Sequence, residues 1–332
     1  MHLIECVPNI SEGRDEIKIK QILAELTSIK GVELLGYEMG QSANRTVITF
    51  AAPQNIISKA AIALIKKSIE LIDMRKHTGV HPRIGCVDVC PFIPLKKTTL
   101  EDCIETAQNV AYNIGTNFGI PVYLYGAAAN NLQKQELSVL RKGGYENLSE
   151  KLINCPPDYG PKILTETAKK SGAICIGARN FLLAYNVNLD TKNLEITRTI
   201  AKELRTKLSG IKTLGWYIKE YGICQVSINI ENYKKAPLYL VYEMCKNIAG
   251  RFNIKVTGSE LIGMTPKDAM LDTAKFYLNK HNRIMQGMPH EEVFNLVIKN
   301  LNLSQIKPFI PENKIIELKL KDFLNNDERA LQ

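Results

Sequence analysis

The order of apolar and polar side chains along roughly the first ninety residues predicts alternating strands and helices. "HLIECVP" (2–8) reads as a short strand ending at Pro8, and 15–29 as an amphipathic helix with Ile17, Ile22, Leu23 and Leu26 on one face. "GVELLGYE" (31–38) and "NRTVITFAA" (44–52) predict two strands joined by the polar loop "MGQSA". Over 54–75, Ile57, Ala61, Leu64, Ile65, Ile69 and Ile72 follow the three-and-four spacing of a buried helical stripe. "RIGCVDVCPFI" (83–93) predicts a fourth strand, stopped by Pro91 and Pro94. The resulting order, β-α-β-β-α-β, is the split βαβ plan of ferredoxin-like domains.

A further helix is expected over 99–118, opened by a capping box between Thr99 and Asp102, and a strand at "PVYLY" (121–125). Residues 126–172 follow neither period and read as irregular, most of all "CPPDYGPK" (155–162). The second half then repeats the order: a strand at 180–189, a helix at 191–208, strands at 211–218 and 223–230, a helix over 236–251 opened by Pro237, and a strand at 254–263. The halves share the order of elements and not the residues. The expectation is an α+β chain of two ferredoxin-like (βαββαβ) subdomains, 1–178 and 179–317, with a ligand cleft between them crossed by the loop 155–172. The tail 318–332 predicts a short strand and a frayed end.

Composition narrows the class. A chain of 332 residues with 45% hydrophobic and 23% charged side chains is that of a globular protein in water. No apolar run approaches the ~18–20 residues of a membrane span and the start, "MHLIECVPNISEGR", has no secretory pattern, so a cytoplasmic protein with no membrane partner is expected. The eight scattered cysteines are then expected as free thiols and not as a disulfide framework. The net charge of +9 is spread along the chain, and charge alone does not choose between nucleic acid, membrane and a small anion. Base stacking needs aromatics on central strands; "HLIECVP" has none and "NRTVITF" only Phe50, so no nucleic-acid partner is expected.

Candidate chemistry concentrates in "KHTGVHPRIGCVDVCPFIP" (76–94). His77, His81, Cys86 and Cys90 are of the right types for zinc, but Gly79 and Pro82 break a helical ligand pair, and Cys86 and Cys90 lie roughly 13 Å apart on a strand, so no metal is expected. A histidine in a loop before a strand suits proton transfer, and Arg83 suits a bidentate carboxylate; the plainer alternative is a hydrogen-bonded turn beside a surface arginine. The polar loop "YEMGQSANRT" (37–46) carries Glu38, Asn44 and Arg45, able to clamp an anion or bond a heterocycle, or else only to connect a hairpin. In "VPNISEGR" (7–14), Ser11 is a candidate helix cap and Arg14 a candidate carboxylate partner. Gly160, Pro161 and Gly172 bracket a segment with three lysines that suits a ligand with several negative charges, or a linker. No G-x-G-x-x-G, Walker loop, G-x-S-x-G or H-E-x-x-H occurs.

Together "IECVPNISEGR", "NRTVITF", "LIDMRKHTGVHPRIGCVDVCPFIP", "PVYLYG", "GARNFLLAYNVNL", "GWYI", "QVSINI", "GSELIG" and "KPFIPENKIIE" resemble the glutamate formiminotransferase family over essentially the whole chain. The resemblance implies transfer of the formimino group of N-formimino-L-glutamate to N5 of (polyglutamyl) tetrahydrofolate, the acceptor substrate, in histidine breakdown, and it implies a homodimer. It identifies His81, in "HPR", as the catalytic histidine, with His77 the weaker candidate. It further implies substrate or folate binding by Glu38, Asn44, Arg45, Arg83 and the loop Gly160, Pro161 to Gly172. Glu38 stands where relatives have Asp, and Val80 where mammalian relatives have Glu. The cyclodeaminase domain of bifunctional members is not expected here. Two other readings remain beside it: a formyl donor such as 5-formyltetrahydrofolate or N-formylglutamate at the same site, and a folate-binding protein without catalysis.

Overall fold

The structure, a computed structural model, describes residues 2–321 and 323. The chain divides into two compact units, the first ending at Asn180 and the second beginning at Phe181.

The first unit opens with β1 (Leu3–Cys6) and β2 (Asn9–Ile10), then α1 (Glu16–Thr27), β3 (Glu33–Gly40), β4 (Arg45–Pro53), α2 (Gln54–Leu71) and β5 (Val87–Pro94). The order β-α-β-β-α-β is present, with the first strand broken in two at Pro8, which has no N–H to give a ladder. It continues into α3 (Leu100–Phe118), β6 (Val122–Gly126), four short helices, α4 (Leu132–Gln135), α5 (Leu137–Leu140), α6 (Leu148–Asn154) and α7 (Glu166–Ser171), and β7 (Ile174–Ala178). All seven strands form one sheet: β3 pairs β4, β1 and β2 lie between β4 and β5, and β7 and β6 extend the far side in parallel.

The helices form where the sequence gives both a start and a stripe. Asp15 caps α1 by accepting from Ile17 and Lys18 N–H, and Ile19, Ile22, Leu23 and Leu26 are buried. Ile17, expected on that stripe, is 71% exposed, and Ile19 takes its place. Thr99 and Asp102 make the expected capping box of α3, which ends at Gly119 with φ +63°. Helices α1, α2 and α3 bury one face of the sheet around Phe50, Phe92, Leu64 and Ile114. A smaller cluster, including Tyr123, Leu140, Leu148, Leu152 and Cys175, holds α5 and α6 to the other face of β5, β6 and β7.

Several expectations change. The helix read over 54–75 stops at Leu71, and Met74–Lys76 is a separate 3-10 turn capped by Asp73. The strand read over 83–93 begins only at Val87, and it passes through Pro91 to Pro94. The stretch 126–172 is not irregular but carries α4 to α7, each too short to show a period. Strand β7 escaped notice because it is buried on both faces and so does not alternate. Ser11 does not cap α1; its hydroxyl donates to the Gly85 carbonyl at 2.7 Å.

The second unit repeats the order as β8 (Leu183–Leu189), α8 (Leu194–Lys207), β9 (Ile211–Ile218), β10 (Ile223–Ile230), α9 (Leu238–Gly250) and β11 (Val256–Ile262). Its antiparallel sheet has the order β11-β8-β10-β9. Two helices outside the expected set, α10 (Lys267–Asn279) and α11 (His290–Leu301), add Met270, Tyr277, Phe294 and Val297 to its core. The short α12 (Pro311–Lys314) and α13 (Ile316–Lys319) follow, so the start of the expected tail strand is helical; 322 and 324–332 lie outside the described residues. All eight cysteines are free thiols, seven of them buried and Cys155 half-buried. Among the described residues, no helix is long and apolar enough to cross a membrane.

Candidate active site

The loop between the 3-10 turn and β5 is fastened to the start of β4 by Asn44. Its backbone is left-handed at φ 47°, a conformation asparagine tolerates better than most residues. Its side chain accepts from Gly13 N–H at 3.0 Å and donates to the Thr78 carbonyl at 3.0 Å, while its own carbonyl accepts from His77 Nε2 at 2.8 Å. That bond puts the proton of His77 on Nε2, so Nδ1 carries the lone pair and accepts from Arg83 Nε at 3.0 Å. Both ring nitrogens of His77 are therefore used in holding the loop. Arg83 completes the tie with a two-pronged ion pair to Glu146, at 2.8 and 2.6 Å. The carboxylate that Arg83 holds belongs to the chain itself.

His81 is placed differently. The loop presents it half-buried, next to the exposed Val80, and its Nδ1 lies 2.7 Å from the Pro82 carbonyl. A carbonyl only accepts, so Nδ1 bears the hydrogen and Nε2 the free lone pair. Burial above all, and then the positive charges of Arg45 and Arg141, push the imidazole pKa down to about 2. The shift favours the neutral ring, with Nε2 left able to take a proton.

Arg45 opens β4 and Arg141 closes the short α5. Burial lowers the Arg45 pKa to about 10, with the charge of Arg141 adding to the effect and Asp88 opposing it. Arg141 donates through Nη2 to the buried Asp88 Oδ2, while Asp88 Oδ1 accepts from Ile84 N–H at 3.0 Å. Among the described residues, the Nε atoms of Arg45 and Arg141 are buried without a hydrogen-bond partner. Arg141 was missed in the sequence because a lone arginine in an irregular stretch carries no signal. Asp88 did carry one, as a carboxylate in the otherwise apolar run "CVDVCPF".

Other expected site residues lie around this centre in different roles. Glu38 stands on the edge strand β3, opposite Val47 and two positions before Gly40, which pairs with Arg45. Gly160 and Gly172 have φ of +84° and +73°. A side chain at Gly160 would strike the Ile120 carbonyl, and one at Gly172 would strike Ile84 and Gly85. The segment 155–172 is thus stitched onto its own unit, through Val122 N–H to the Tyr159 carbonyl at 2.9 Å and a bridge from Gly85 to Gly172; Pro161 is half-buried within it. Arg14 Nε donates to the Gln41 carbonyl at 3.1 Å. Cys86 and Cys90 are both in the core, and Cys90 Sγ lies 3.5 Å from Cys6 Sγ.

The second unit carries a polar network that its strand pattern did not single out. Gln225 Nε2 donates to Asn188 Oδ1 at 2.7 Å and to Glu260 Oε2 at 2.6 Å, and the indole of Trp216 donates to Gln225 Oε1 at 3.2 Å. Asn188 and Gln225 are buried on the strand face opposite the helices, where alternation predicts polar residues but not their burial.

Comparison with known proteins agrees on one family. Residues 3–179 match the model of the formiminotransferase domain, N-terminal subdomain, and residues 184–321 that of the formiminotransferase domain. A glutamate formimidoyltransferase of Thermoplasma acidophilum is 42% identical over 84% of this chain and 93% of its own length. A second, from Streptococcus pyogenes serotype M1, is 42% identical over 86% of this chain and 98% of its own. A formimidoyltransferase-cyclodeaminase of Dictyostelium discoideum is 37% identical over 97% of this chain but only 61% of its own length. Matched by family models across both units and by curated transferases over nearly their full length, the chain belongs to the formiminotransferase family.

Proposed function

We propose that the protein moves the formimino group of N-formimino-L-glutamate to N5 of tetrahydrofolate, giving 5-formiminotetrahydrofolate and L-glutamate in histidine degradation, with His81 as acid and base. The observation that carries the reading is the hydrogen bond of His81 to the Pro82 carbonyl, which keeps the hydrogen on Nδ1 and leaves the lone pair on Nε2. N5 must lose a proton as it bonds to the formimino carbon, and the glutamate nitrogen must gain one as its bond to that carbon breaks. One imidazole that takes the first proton and returns it to the leaving nitrogen balances both steps. The tie of Asn44, His77 and Arg83 fixes the loop on which His81 sits, which supports the orientation such a transfer needs.

The test is turnover from N-formimino-L-glutamate and tetrahydrofolate in the wild type and in His81→Ala, with folate affinity measured alongside. The expected outcome is a loss of kcat of about 10²–10⁴-fold with folate affinity nearly unchanged. Equal loss of rate and affinity would sink the assignment of His81. No turnover in the wild type, with folate still bound, would transfer the reading to a formyl donor.

A further inference from the structure

We propose that Arg45 and Arg141 form the seat of a single carboxylate, the α-carboxylate of the formimino donor, with Asp88 fixing one of the two guanidinium groups in place. The inference rests on the reading of the protein as a formimino transferase. It begins from a discrepancy in hydrogen bonding. Buried polar side-chain atoms nearly always find a partner, yet Arg45 Nε and Arg141 Nε are buried without one. Strand β2 lies between β4 and β5, with Ile10 opposite Thr46 on one side and Val87 on the other. Arg45, next to Thr46, and Asp88, next to Val87 and bonded to Arg141, therefore stand two strands apart on one sheet, and the charges of both guanidinium groups reach His81.

Charge says how many anions fit. Two half-buried cations, each with a buried Nε, stand near one carboxylate, Asp88, which is already engaged by Arg141 Nη2 and the Ile84 N–H. Among the described residues one of the two charges has no carboxylate partner, and the two buried Nε–H groups have no acceptor, which is costly. A monoanion with two acceptor oxygens satisfies both; a phosphate, at about −1.5 to −2, exceeds the charge available. Arg83 is not the partner, because Glu146 and His77 occupy its fork.

Chemistry says which carboxylate. The seat adjoins His81, which serves the transferred group. In the donor, the α-carboxylate is attached to the carbon that bears the reacting nitrogen. The carboxylates of the folate lie at the opposite end of that molecule from N5. An anion held beside the reacting centre is therefore the donor's own, and holding it fixes the leaving nitrogen relative to His81.

The experiment is calorimetric titration of wild type, Arg45→Met and Arg141→Lys with two donors, N-formimino-L-glutamate and N-formimino-4-aminobutyrate, which lacks only the α-carboxylate. The wild type is expected to prefer the first by about 10–100-fold, as charge-assisted hydrogen bonds to one carboxylate imply. In each variant that preference falls to about twofold or less. Arg45→Met is also expected to keep or raise the melting temperature, since it removes a half-buried cation whose Nε is buried without a partner, whereas a purely structural arginine would lower it. A wild type without the preference, or an Arg45→Met variant that retains it in full, would overturn the proposal. Turnover with tetrahydrofolate is read separately: its absence in the wild type would remove the formimino-transfer reading, and the binding comparison would still decide whether the seat exists.

Discussion

A histidine serves as a base near neutrality only if it is unprotonated there, and His81 is kept so by burial and by two neighbouring arginines. The same shift has a cost in acid. The folded imidazole titrates at about 2 and the unfolded one at about 6.5, so below pH 6.5 the unfolded chain binds a proton that the folded chain does not. Stability is therefore unaffected by His81 above that value, and falls as the pH falls from about 6.5 toward about 2. A His81→Gln variant is expected to lose less stability than wild type between about pH 7 and about pH 5, read as the urea midpoint at each pH. Parallel losses in both proteins would mean that the folded imidazole takes up the proton. His77, by contrast, has its two nitrogens committed to Asn44 and Arg83, which is why two histidines four residues apart play unequal parts.

Elements with a regular period were mostly legible in the sequence, α10 and α11 excepted, and those fixed by remote contacts were not. Helices α1 to α3 each bury a stripe at helical spacing, and α3 carries its start signal in Thr99 and Asp102. Arg45 and His81 stood out by type and by local motif. The link between Arg141 and Asp88 did not, because 53 residues separate them and neither the spacing nor the composition of the intervening chain records the contact. The glycines at 160 and 172 show the same limit. A pair of glycines around lysines suggests a free loop, whereas each is required where the chain passes closely over its own unit. Gly172→Ala is expected to cost about 1–3 kcal/mol, because the new methyl meets backbone at Ile84 and Gly85 and the left-handed φ adds strain. Thermal or urea unfolding measures this, and an unchanged midpoint would show that the segment 155–172 packs elsewhere.

At the scale of the whole molecule, duplication of order without duplication of residues yields two sheets with separate cores, one around Phe50 and Phe92 and one around Tyr185 and Val226. The thiols are divided unequally between them. Cys6, Cys86, Cys90, Cys103 and Cys175 are buried in the first unit, Cys224 and Cys245 in the second, and the half-buried Cys155 belongs to the first. Burial makes a thiol inert until the structure around it opens. A colourless reagent that adds a fixed mass to each accessible thiol thus converts opening into a number. The native protein is expected to gain about one adduct quickly, at Cys155, with later gains arriving in steps of five when the first unit opens and of two when the second does. Eight adducts arriving together would mean that the chain opens as one body, and the mass spectrum of a single sample, taken over time, would record which half lets go first.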